Sequence, residues 1–228
     1  LSNDIPRLKG HMEKTLLTAL IALAGLPAAF TQSLVSTLDD IAFWTGSGPN
    51  RSTLVVEFNS STTPFSVAWG YNWSGNTSLQ TMIFDLAGAI TGGPTPVPQS
   101  DPRLGIAVLS FDGMGYFLDS LTYDQSGLGG TWPSGTLALT GWDGTNWNNL
   151  FTFNGTSNWS SGPFALSNVG MNDTTLVDGG WYGWVLANGP DTYSFAQPFA
   201  AVPEPSAVLL LGAACTALLL LKKFPRRA

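Results

Sequence analysis

Histidine and cysteine occur once each, at His11 and Cys215, and both lie outside the central stretch of residues 31–202. Within that stretch a Ser-His-Asp triad, a Cys-His dyad, a histidine zinc site and a disulfide are therefore excluded. The stretch also has no lysine, which rules out Schiff-base chemistry and Ser-Lys pairs. What remains for a catalyst is carboxylate chemistry, as in glycosidases. The one glutamate there is Glu57, inside Thr53-Leu54-Val55-Val56-Glu57-Phe58. This reads as a strand that turns the carboxylate outward onto a solvated face. Asp39-Asp40, taken with Asp85 or with Asp173 and Asp178, offers hard oxygen ligands for calcium. No spacing here matches a calcium loop, and solvated surface acids are the competing reading. No catalytic residue and no cofactor are expected.

Charge narrows the partners. The central stretch carries two cations, Arg51 and Arg103, against twelve carboxylates, a formal charge of minus ten. Such a surface repels nucleic acid, whose binding is driven by cations neutralising phosphates, and it repels anionic lipid. Neutral polymers, cations and divalent metals are compatible with it. All nine tryptophans fall in the same stretch. Rigid aromatic rings stack on the apolar faces of sugars, while large aromatics also fill cores, with one N–H to satisfy. Trp69, Tyr71 and Trp73 share one face of an alternating strand and are expected to form a core row. Trp142, Trp147 and Trp181 sit beside Asp-Gly and Gly-Gly turns and are the candidate carbohydrate contacts.

The elements that must position these residues read as β-structure. Short aromatic and β-branched runs alternate with Gly, Asn, Ser and Thr turns. Strands are expected over 53–58, 65–71, 105–111, 115–118, 136–140, 147–153, 182–186 and 192–195. Leu79, Met82, Ile83, Leu86 and Ile90 instead repeat at helical spacing. A helix is expected over 78–90, capped by Thr77 or Ser78 and ended by Gly92-Gly93-Pro94. Residues 92–102 read as a proline-rich surface loop. The expected fold is mainly β, a single sandwich or jelly roll with one short helix. It is flanked by an N-terminal signal helix and a C-terminal transmembrane helix.

Both flanks read as addresses. Met12-Glu13-Lys14 precedes an apolar run and small residues at Ala28 and Ala29, the order of a secretory signal over residues 12–30. Residues 1–11 then read as an upstream translated segment. At the other end, Pro203-Glu204-Pro205 precedes an apolar run over 207–221 and the basic residues Lys222, Lys223, Arg226 and Arg227. At about 1.5 Å per residue that run spans little more than ~20 Å, short of the roughly 20 residues of a stable spanning helix. The basic end would stay cytoplasmic.

Over residues 203–228 this order of motif, marginal helix and basic end closely resembles the PEP-CTERM sorting signal of Gram-negative bacteria. The resemblance implies that an exosortase-type enzyme recognises Pro203, Glu204 and Pro205, and that the helix and basic end are removed. It implies a precursor tethered to the inner membrane, then a protein at the cell surface or in an extracellular matrix of exopolysaccharide and biofilm. The stretches Ala42-Phe43-Trp44-Thr45-Gly46-Ser47-Gly48-Pro49-Asn50, Ala68-Trp69-Gly70-Tyr71-Asn72-Trp73-Ser74-Gly75 and Asp178-Gly179-Gly180-Trp181-Tyr182-Gly183-Trp184 look like a module recurring in secreted PEP-CTERM proteins. That likeness covers most of residues 31–202 and carries a class without a reaction. The expectation is a structural or adhesive surface protein, not an enzyme. A carbohydrate-binding module and a carboxylate-type glycosidase stand as alternatives.

Overall fold

In the computed structural model, residues 33–60, 63–111, 115–126, 128, 135–141, 147–153, 159, 164–187 and 191–203 are described, with the backbone alone at 59, 60, 63, 64, 111, 147–153 and 187. A 3-10 turn at Leu38–Asp40 is followed by β1 (Trp44–Gly46), β2 (Asn50–Ser60) and β3 (Thr63–Trp73). Helix α1 (Leu79–Leu86) leads into β4 (Ala87–Thr91), β5 (Asp101–Phe111), β6 (Gly115–Asp124) and β7 (Thr136–Thr140). The chain continues through β8 (Trp147–Phe153), β9 (Phe164–Leu166), β10 (Trp181–Ala187), β11 (Thr192–Tyr193) and β12 (Phe199–Ala200). Among the described residues the fold is therefore mainly β with one short helix. Among the described residues no helix is long and apolar enough to cross a membrane. The expected signal and tail segments lie outside the described residues.

Two sheets form. The larger has the order β1-β3-β2-β10-β8-β9-β11, with β12 also paired to β3, and the smaller is β4-β5-β6-β7. The β2–β3 hairpin is the spine, paired without a break from Asn50↔Trp73 to Ser60↔Thr63. Period-two alternation in these strands separates two faces. Leu54, Val56, Phe58, Val67, Trp69, Tyr71 and Trp73 form one cluster with Leu104, Ile106, Val108, Leu121, Tyr123 and Leu139 of the smaller sheet. This is the interior of a sandwich. Trp69 meets Tyr123 edge to face across it, ring centres 5.3 Å apart.

The helix is shorter than its apolar repeat suggests. Ser78 caps it, its hydroxyl accepting from the Thr81 N–H at 3.3 Å, and Leu79, Met82, Ile83 and Leu86 face the core. It ends at Leu86, and residues 87–90, expected as its last turn, belong to strand β4 instead. Ala89, Ile90 and Thr91 pair in parallel with Gly105, Ile106 and Ala107. Apolar residues at 87 and 90 fit the helical repeat from Ile83 and Leu86, so periodicity alone does not stop the helix. Gly88 does, because its backbone lies against β5: a Cβ there would sit 2.4 Å from the Asp101 carbonyl oxygen. Ladder bonds to β5 outweigh a weak helix former next to glycine.

The second correction concerns the far face of the large sheet. A two-layer sandwich leaves that face wet, and Glu57 was placed on it for that reason. The structure covers it instead. Val55, Ala68, Trp181 and Val185 on that face pack with Val35, Leu38 and Ile41 from the first described segment, and with Phe164, Phe195 and Ala200. Glu57 is 1% exposed beneath this third layer. The small sheet keeps the expected open face, where the cross-strand pair Leu109 and Phe117 is about half exposed.

Candidate functional site at the exit of the chain

The third layer is closed by a strap, residues 191–202, that ends against Pro203. Its first part pairs with β9, Thr192 opposite Ala165 and Tyr193 opposite Phe164. The Phe195 ring then packs directly against Gly183 of β10, where a Cβ would stand 2.3 Å from it. Only glycine permits that approach. The Phe195 ring meets Phe164 at 4.8 Å and Tyr193 at 5.0 Å.

One buried carboxylate fastens the strap. Glu57 accepts from the Tyr193 hydroxyl at 2.5 Å and from the Ala196 N–H at 2.7 Å. The Ser66 hydroxyl of the neighbouring strand donates to it at 3.2 Å. A buried carboxylate is stable only when its lone pairs are satisfied in this way. Beyond Ala196 the strap is sewn to both the first described segment and β3. Val35 N–H donates to Pro198 O at 2.8 Å, and Ala200 N–H to Ser33 O at 2.9 Å. Phe199 stacks on Phe65 with ring centres 5.1 Å apart and planes 21° apart.

At its end the strap turns from the outer layer into the sandwich. Ala201 and Val202 belong to the inter-sheet cluster, whereas Ala200 belongs to the outer one. Ala201 N–H donates to Ala68 O at 2.9 Å, and Val202 N–H donates to the Tyr123 hydroxyl at 3.3 Å. Beside them Asp101, fully buried, accepts from the Trp69 indole at 2.7 Å and from the Arg103 N–H at 2.9 Å. Exposure changes within one bond: Val202 is 5% exposed and Pro203 is on the surface. Glu204, Pro205, Lys222, Lys223, Arg226 and Arg227 lie outside the described residues.

Burial and neighbouring carboxylates act together on the phenols of this region. Desolvation, then the bond to Glu57 and its charge, pushes Tyr193 well above the usual phenol range. Desolvation and the charge of Asp101 do the same to Tyr123. Tyr71, which donates to Asp85 at 2.6 Å, is raised by burial and by that carboxylate, and Tyr182 by burial. The folded chain thus holds these protons where the unfolded chain releases them, above about pH 10. Their stabilisation is complete below that pH and declines as pH rises beyond it. In an alkaline titration, phenolate absorbance from these four tyrosines is expected to appear in one step, together with loss of near-ultraviolet circular dichroism. Ionisation of more than one of the five tyrosines while the fold is intact contradicts this burial.

The other candidate residues are placed as follows. Trp181 is corrected: it is 0% exposed and cannot touch a ligand. Its turn exists, with Gly179 at φ +76° and the Arg51 N–H donating to Asp178 at 2.8 Å. The turn ends one residue sooner than its glycines suggest. Thr53 N–H already bonds to Gly180 O at 2.9 Å, so Trp181 opens β10, paired with Thr53 under the strap. Trp69, Trp73 and Trp184 are buried as well, and Trp44 and Trp159 are half-buried. Trp142 lies outside the described residues, as does the side chain of Trp147.

Asp39 and Asp40 are both engaged without a metal. Asp40 accepts from the Ser36 and Thr37 N–H groups at 2.9 and 2.8 Å, which holds its carboxyl below the usual range. Asp39 pairs with Arg51 at 2.9 Å on the surface, a contact that contributes little to stability. Arg51 also lies over the Trp44 ring at 4.5 Å. Among the described residues no three metal-ligating side chains are grouped to hold an ion. Glu57 and Asp101 face opposite sides of the large sheet, so these two carboxylates share no cleft. Compared with known protein families, curated proteins and solved structures, the chain matches none.

Sequence reasoning missed the strap. Residues 192–195 read from sequence as one more strand of the sandwich, with no role for the residues between it and the sorting motif beyond joining the two. One signal was available. The row Thr53, Val55, Glu57 alternates with Leu54, Val56, Phe58, and a face bearing Val55, Ala68 and Val185 is too apolar to be left in water.

Proposed function

We propose that this is an exported protein of the cell surface or extracellular matrix of a Gram-negative bacterium. It is sorted through Pro203-Glu204-Pro205 and acts as a structural or adhesive component among exopolysaccharide or biofilm material, without enzymatic activity. Its partners on this reading are an exosortase-type sorting enzyme, the membrane through the apolar run 207–221 until processing, and neutral polysaccharide.

The observation that carries the reading is the placement of the exit. Ala200, Ala201 and Val202 are buried, and Pro203 directly after them is exposed. A cut just downstream leaves these buried residues in the body, as a tail that serves only as an address requires. The acidic body suits a neutral matrix better than nucleic acid or anionic lipid. The alternative, a carbohydrate-binding module, draws on the partly exposed rings of Trp44 and Trp159. For a glycosidase, which needs two carboxylates flanking one bond, the buried pair Glu57 and Asp101 does not serve, since the two lie on opposite sides of the large sheet.

Sorting is tested directly in the producing cell. Changing Pro203, Glu204 and Pro205 together to alanine is expected to leave an unprocessed membrane-bound form. The wild-type surface protein should end near the motif by mass spectrometry. A wild-type surface protein with an intact C-terminus through Ala228 shows the reading to be wrong.

A further inference from the structure

We infer that the strap is a gate on its own processing: residues 199–202 must peel from the body before a sorting enzyme can take hold of the chain at Pro203. This inference rests on the sorting reading above and adds its regulation.

Enzymes that cut peptides commonly hold the substrate as an extended strand, through main-chain hydrogen bonds on both sides of the scissile bond. The groups needed on the N-terminal side of Pro203 are already taken. The N–H groups of Ala200, Ala201 and Val202 donate to Ser33 O, Ala68 O and the Tyr123 hydroxyl. Phe199 pairs with Val67 and stacks on Phe65. Ala200, Ala201 and Val202 are each 5% exposed or less. In the closed state the enzyme meets an exposed proline flush against a folded surface, with no free strand before it.

The geometry also supplies the means of opening. Pairing of β12 with β3 covers two residues, Phe199 and Ala200. Upstream, the strap is fastened at one carboxylate, Glu57, which holds Tyr193 and Ala196. Release of 199–202 leaves Glu57 and the Phe195 contact in place, so a local opening exposes four residues without unfolding the sandwich. At about 3.3 Å per residue, four freed residues extend some 13 Å, enough to enter an enzyme groove. Release at Glu57 as well, together with the Phe195 contact and the β9–β11 pair, frees the chain back to Thr192 and nearly triples that reach. Glu57 therefore acts as a positioning residue that sets how far the strap opens, not as a catalytic one.

The test follows opening and processing separately in the full chain. Opening is read by hydrogen exchange of peptides covering 194–202, in detergent-solubilised protein, against peptides covering 54–58 as an internal reference. Processing is read by pulse–chase and mass spectrometry of tail loss in the producing cell. Phe199→Ala removes the ring that seats β12 and is expected to speed exchange over 199–202 by roughly tenfold. Tail loss should accelerate in proportion, with 54–58 unchanged. Glu57→Gln keeps the side-chain volume, and is expected to speed exchange over 194–198 and to raise processing less. It also serves as the second variant if Phe199→Ala loosens the reference peptides too. Faster exchange with unaltered tail loss overturns the gate while leaving sorting intact. Exchange over 199–202 that is already as fast in the wild type as in the 92–100 loop also overturns it. A wild-type chain that is never processed defeats the sorting reading and the gate together.

Discussion

Trp69→Ala is expected to lower the free energy of unfolding by about 3–5 kcal/mol, the range for deleting a large aromatic from a core. Three terms add. The ring is 0% exposed and fills the middle of the inter-sheet layer. It meets Tyr123 edge to face at 5.3 Å, a geometry worth about 0.5–1.5 kcal/mol beyond burial. Its indole N–H is a 2.7 Å donor to Asp101, so truncation strips a buried carboxylate of one partner. Trp69→Phe separates these terms: it keeps most of the volume and loses the donor, and should fall between wild type and Trp69→Ala. Denaturant midpoints measure both. A Trp69→Ala midpoint within about 1 kcal/mol of wild type, well short of the buried-aromatic range, contradicts the central place given to this residue.

Trp181→Ala should cost a similar ~3–5 kcal/mol through the other layer. Trp181 is 0% exposed, with the Trp159 ring 5.4 Å away and the strap above it. Its loss undermines the aromatic cluster of Trp159, Phe164 and Phe195. The expected signature differs from that of Trp69. Proteolysis should reach the 191–202 segment before the sandwich melts, because the lost contacts are those of the outer layer. Retention on exopolysaccharide, once corrected for the folded fraction, should not change. Lost retention with undiminished stability is the outcome that returns Trp181 to the ligand surface.

The contrast between these two tryptophans marks how far the sequence could be read. Phe65, Val67, Trp69 and Tyr71 alternate with small residues, and that period alone places Trp69 on a buried face. Seven of the eight expected strands are present in full, five of them longer than the run because ladder pairing continues through polar ends such as Asn50-Arg51-Ser52, while 192–195 is strand only at Thr192–Tyr193. Trp181 follows two glycines, so local chemistry says turn, and only its pairing with the remote residues Thr53 and Phe153 reveals a strand. Glu57 fails for the same reason. A lone carboxylate in a strand belongs in water unless something distant covers it, and its partners Tyr193 and Ala196 are 136 and 139 residues away. Helix α1 shows the reverse case: its cap and apolar face were legible, but its end was decided by β5, outside any local window. Pairings between remote segments leave no periodicity in either one.

The distances along the chain that close the outer layer bear on when the protein can finish folding. The first described residues, 33–36, find their partners in Gln197, Pro198 and Ala200, and the Gln197 bonds span 161 and 162 positions. Contacts of such high order are slow to form, because the loop-closure entropy is lost before the contact is gained. Hairpins β2–β3 and β5–β6 can form as soon as their own residues are available. The segment around Val35, Leu38 and Ile41 can rest early on Val55 and Ala68, but its partners Phe195 and Ala200 are made far later, so an apolar edge stays partly uncovered until the strap arrives. A chain truncated at residue 190 would keep that edge bare permanently and is a natural substrate for chaperones and proteases.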